Sequence, residues 1–217
     1  MGYNMDKIQE EIFNFIYAMA LRDATLQKAY EGEKAPLLDV SGAKKSTREY
    51  IDNLLCGKKT DFYSTVADIQ ESFRGKGYKN FTFGNAQKLL NMTVKYVYIA
   101  AYSSQDYANF REKFRNCHCP MDNHMIECII KQADDELKGG TEKGEKIRSA
   151  LKKREDGEKI KNGEKGWKTF LRQSWSCISS DDKMQYEVFQ DIVRCLCGED
   201  LIPIEYDYIE WNPKGRE

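Results

Sequence analysis

Phe83-Gly84-Asn85-Ala86-Gln87-Lys88-Leu89-Leu90-Asn91-Met92-Thr93-Val94-Lys95-Tyr96 is the stretch that decides the fold. Leu89, Leu90, Met92 and Val94, continued by Val97, Ile99 and Ala100, supply too much apolar surface for a helix lying on water. A buried helix is therefore predicted over 83–102. Gln87, Asn91, Lys95 and Tyr98 follow one another at spacings of four, four and three, which stacks their polar groups in one stripe. An unpaired buried amide costs about 1–3 kcal/mol and a buried charge more, so this stripe is either satisfied internally or arranged around a ligand.

Working outward, Ile8, Ile12, Phe13, Phe15, Ile16, Met19, Ala20 and Leu26 recur at helical spacing, predicting a long amphipathic helix over about 6–30, with Asp6 as its cap. Gly32 and Pro36 break it. Further helices are expected over 46–55 and 61–73. Another follows Ser103 or Ser104 through Phe110 and Phe114, and one over 121–137 opens after Pro120 with Asp122 at its N-terminus. Ser179-Ser180-Asp181-Asp182 resembles a capping box that leads into a last helix closed by Gly198. Residues 201–211 carry Pro203 and alternate in polarity, which predicts an extended tail anchored by Trp211. Strands do not alternate with helices, so the class is all-α. One helical domain over 1–217 is expected, with the 83–102 helix encircled by the N-terminal helices, the 121–137 helix and the last helix.

A composition of 41% hydrophobic residues in 217 is enough for a substantial core. No run of ~18 apolar residues is present and the N-terminus lacks the charged-then-apolar order of a secretory signal, which points to a cytoplasmic protein without a membrane span. Seven cysteines, an odd number, then read as reduced thiols. The net charge of -1 conceals an uneven distribution. Segment 138–166 holds ten Lys/Arg against six Asp/Glu, a local +4. Its six glycines and few apolar anchors predict a mobile loop with a short helix around 146–154, serving as a linker, a phosphate-contacting arm or a contact for a protein partner.

The first candidate for chemistry joins Lys95 to Asp122. A lysine amine becomes nucleophilic when apolar surroundings disfavour its ammonium form, and a carboxylate at a helix N-terminus stays ionised. A lysine-bearing helix, a connection, then Pro120-Met121-Asp122 opening the next helix resembles the active-site half of helix-hairpin-helix DNA glycosylases, on the archaeal 8-oxoguanine branch. The resemblance covers about 83–130. It implies that Lys95 forms a Schiff base, that Asp122 is the catalytic aspartate, and that DNA is the partner. The family's glycine-rich hairpin is represented here only by Phe83-Gly84-Asn85 and, upstream, Gly75-Lys76-Gly77. Phe83, Gln87 and Asn91 beside the lysine, and Trp211 as a stacking surface, complete the expected substrate-binding set. The bland alternative makes Lys95 a snorkelling side chain, Asp122 a helix cap, and Gln87, Asn91 and Lys95 an internal polar network in a non-enzymatic helical interaction module.

Cys117, Cys119, His124 and Cys128 crowd into twelve residues, but a Cys-x-Cys spacing with no second knuckle is not a zinc signature, and no metal is assigned. His118 and His124 are the available imidazole bases for a Cys/His mechanism. Phosphate-loop, dinucleotide-fingerprint and His-Glu-x-x-His motifs are missing, so no cofactor is expected.

Overall fold

The computed structural model describes residues 5–25, 40–102, 106–155 and 163–211, and every regular element among them is helical. In chain order these are α1 (Met5–Thr25), α2 (Ser41–Leu55), α3 (Phe62–Gly75), α4 (Phe83–Ala101), α5 (Tyr107–Lys113), α6 (Asn123–Gly139), α7 (Glu142–Glu155), α8 (Gly163–Leu171), α9 (Met184–Cys197) and α10 (Pro203–Trp211), with a short 3₁₀ turn at Trp175–Cys177. The all-α class is as expected. Contacts cluster into two compact units, Met1–Phe114 and Arg115–Glu217, a finer division than the single domain expected over 1–217. Among the described residues no helix is long and apolar enough to cross a membrane.

In the first unit α4 packs on α1, α2, α3 and α5. Every residue from Phe83 to Lys95 is buried, as the apolar run around Leu89 predicts. The helix starts where it does because Thr82 and Asn85 form a reciprocal capping box: Thr82 Oγ1 accepts from the Asn85 N–H and Asn85 Oδ1 from the Thr82 N–H, both at 3.2 Å. Asn85 Nδ2 also donates to the Ala24 carbonyl at 3.0 Å, which ties the end of α1 to the start of α4. Phe73 and Phe81 stack with ring centroids 3.8 Å apart, and Tyr98, Phe110 and Phe114 cluster where α4 meets α5. The stretch of the first predicted helix beyond Thr25 lies outside the described residues.

In the second unit α9 is contacted by α6, α7, α8 and α10. Its Gln190 holds the segment before α6, accepting from the Cys119 N–H at 3.1 Å and donating to the Cys119 carbonyl at 2.7 Å. Asp122 caps α6, and Gly140 ends it in the left-handed region at φ 62°. One expectation is corrected here. Residues 203–211 form a helix and not an extended tail, because Pro203 occupies the first helical position, where its missing N–H is not needed. Glu205 Oε2 meanwhile accepts from the Ile202 N–H at 3.2 Å. The short helix expected around 146–154 lies within a longer one over 142–155, in which Ile147 and Leu151, one turn apart, are buried on the same face. Residues 156–162 lie outside the described residues. Ser179 does cap a turn, accepting from the Asp182 N–H, but α9 begins later, at Met184, without a side-chain cap.

Gly144 shows how tightly α7 approaches α6. A Cβ there would lie 2.3 Å from the Glu136 carbonyl oxygen, a backbone atom that cannot rotate away. Gly144→Ala is expected to destabilise the second unit by about 1–3 kcal/mol despite alanine's better helix propensity, as read by urea unfolding. A stabilising effect would mean that the two helices are not in close contact.

Candidate functional site

The predicted site residues divide between the units. Phe83, Gln87, Asn91 and Lys95 belong to the first, whereas Asp122 and Trp211 belong to the second. Phe83 is a core residue whose ring stacks on Tyr63. Gln87, Asn91 and Lys95 are 0%, 1% and 8% exposed, and Asn91 Nδ2 donates to Gln87 Oε1 at 3.0 Å. Part of the polar stripe is thus an internal network. Gln87 Nε2 is buried with no hydrogen-bond partner among the described residues. Asp122 accepts from the Met125 N–H at 2.9 Å, which is the helix-cap role. Trp211 packs against the His124 ring, centroids 4.5 Å apart, at the end of α10.

Burial pushes the Cys117 thiol up to about 12, so the free thiol is protonated at neutral pH and is not a thiolate nucleophile. His118 Nδ1 lies 2.8 Å from the Tyr186 hydroxyl, and burial, reinforced by the Arg194 charge, lowers its pKa to about 3. His124 Nε2 is 3.1 Å from the Glu210 carbonyl oxygen and 3.5 Å from Cys128 Sγ. Among the described residues no group of three or more His, Cys, Asp or Glu is placed to hold a metal ion. Three of the six cations of α7 are engaged close by: Lys143 with the Leu196 carbonyl, Lys146 with Glu142 and Arg148 with Glu145.

The surface that stands out is on α1. Its inner face buries Phe13, Ile16, Tyr17, Ala20, Leu21 and Ala24. Its outer face nevertheless exposes Ile8 (37%), Ile12 (52%), Phe15 (67%) and Met19 (37%). These follow one another at four, three and four residues, the spacing of the seam that one helix presents to another. Ile12 also forms a wall of an apolar hollow of about 390 Å³, together with Ile16, Ile51, Leu55, Val97 and Ala101. Arg48 guards its rim, 4.8 Å over the Phe13 ring, with Nε 2.9 Å from Asp52 and Nη1 3.2 Å from Glu10. The clue in the sequence was an excess: α1 carries more large apolar residues than one buried face can hold.

Two outcomes are expected of the buried groups. As pH falls from 6.5 toward 3, the unfolded chain binds a proton at His118 that the folded chain refuses, so stability should drop by up to about 1.4 kcal/mol per pH unit in that window. Urea unfolding at several pH values checks this, and His118→Gln should flatten the dependence. A thiol reagent should label the exposed Cys56 and Cys177 in the folded protein, and Cys117, Cys119 and Cys197 only after unfolding. No protein-family model, curated protein or solved structure matches this chain, which leaves the chemistry and geometry of its surfaces to speak for its function.

Proposed function

We propose that this chain is a non-enzymatic helical interaction module whose α1 binds an amphipathic helix of a partner. The observation that supports this reading is the exposed row Ile8, Ile12, Phe15 and Met19 on a helix whose opposite face already holds a core. Large apolar side chains lose about 1.5–3 kcal/mol when left in water instead of fully buried. Four in a seam-like row are a standing incentive for a second helix to cover them. A β-strand partner fits less well, because a 4-3-4 spacing matches the 3.5-residue repeat of paired helices and not the two-residue repeat of a sheet edge. Phe15, the most exposed, is the natural anchor.

The lyase chemistry implied by the resemblance would act through Lys95 and Asp122. It gains little support from the local setting of either: Lys95 is 8% exposed, and the Asp122 carboxylate is engaged as a helix cap. Borohydride trapping on DNA carrying an oxidised base separates the two readings. No adduct is expected, and a trapped adduct that disappears in Lys95→Gln would transfer the conclusion to the enzyme.

Binding of a designed amphipathic peptide, with leucine at alternating three- and four-residue spacings, can be followed by fluorescence anisotropy. Phe15→Ser is expected to weaken it at least tenfold, about 1.4 kcal/mol, while leaving the thermal midpoint nearly unchanged. Equal binding by parent and variant, or none by either, would remove the interaction reading.

A further inference from the structure

We infer that the helix which covers this seam is α1 of a second copy, running antiparallel, so that the chain pairs with itself through Ile8, Ile12, Phe15 and Met19. The inference rests on the interaction reading and names its partner. A seam of this kind asks for a helix that exposes apolar residues at alternating spacings of four and three, and α1 is such a helix.

Side-chain size selects the direction. A two-fold axis between Phe13 and Asn14 sets Ile8 opposite Met19 of the second copy and Ile12 opposite Phe15 of the second copy. That gives four layers of unlike residues over three turns, about 16 Å at 1.5 Å per residue. Parallel pairing would force Phe15 against Phe15 and align the two helix dipoles, whereas the antiparallel pair opposes them. Flanking positions are compatible with this direction. Antiparallel pairing places Gln9 near Ile16 and Glu11 near Ala18 of the second copy, so no like charges meet and the small Ala18 leaves room for the longer Glu11.

The apolar hollow gives the anchor a seat. Ile12 is a wall both of that hollow and of a second, equally open one of about 390 Å³ beside Ile8 and Phe15. A phenyl ring brought opposite Ile12 therefore meets the hollow lined by Ile16, Val97 and Ala101, and about 390 Å³ is ample space for it. The contact is isologous, each copy giving Phe15 and receiving it, and it closes at two chains.

Sedimentation equilibrium on the full chain over a dilution series tests this. The parent should shift from one chain toward two as concentration rises, and Phe15→Glu should remain a single chain with unchanged helicity and, at dilutions where the parent is also a single chain, unchanged melting. Ile8→Asp and Met19→Lys should each weaken pairing at least tenfold. Together in one chain they should recover most of that loss, because antiparallel pairing sets each new charge against its opposite. A parent that stays monomeric overturns the inference, as does a dimer indifferent to Phe15→Glu or a double variant no tighter than the single ones. If the parent stays monomeric yet still binds the designed peptide through Phe15, only the second copy is excluded and the interaction reading stands. Loss of both results removes both.

Discussion

A helix buried on every side from Phe83 to Lys95 has no water to satisfy its polar side chains, and the first unit meets most of that demand from within, Gln87 Nε2 being left without a partner among the described residues. Asn85 spends its carbonyl oxygen on the N-cap and its amide nitrogen on Ala24. Thr93 bonds back to the Leu89 carbonyl, and Asn91 bonds to Gln87 one turn earlier. These bonds let amides and hydroxyls sit among Leu89, Leu90 and Val94, where an unmade bond would cost about 1–3 kcal/mol. One of them also pins the end of α1 to the start of α4, because Asn85 reaches the Ala24 carbonyl.

With that orientation set, the fate of every apolar residue on α1 follows from its place on the helix. Phe13, Ile16, Tyr17 and Ala20 turn toward α4. Ile8, Ile12, Phe15 and Met19 must then turn away. The outer seam is thus a consequence of the inner packing, and the surplus of apolar residues has no role in holding α1 to α4. That surplus is the surface the proposed interaction would bury.

Much of the fold could be read from residue order because helix signals are local. The run around Leu89, the Asp122 cap and the glycines after α6 and α9 each act within one or two turns. One element was illegible and another was read too short, for different reasons. Pro203 breaks a helix when it is interior and begins one when it is first, and only the neighbouring bond from Ile202 to Glu205 distinguishes the cases. Gly144 looked like dilution of a charged loop but is the point at which α7 can approach the Glu136 carbonyl. The candidate site was harder still. Periodicity identified α1 as amphipathic, yet dividing its apolar residues into an inner and an outer face depends on where α4 lies, a relation across some sixty residues of chain. Lys95 and Asp122 were drawn together by a motif in sequence, whereas the described contacts give the Asp122 carboxylate a cap to hold and Lys95 a place in a buried helix.

The division of α1 into a buried structural face and an exposed outer face is measured most directly by urea unfolding of Phe13→Ala and Phe15→Ala, two truncations of the same side chain two residues apart. Under dilute conditions Phe13→Ala should cost about 3–5 kcal/mol, as a core phenylalanine does, and Phe15→Ala no more than about 0.5 kcal/mol. Comparable losses at the two positions would mean that Phe15 is part of the folded core, and the seam on α1 would not exist.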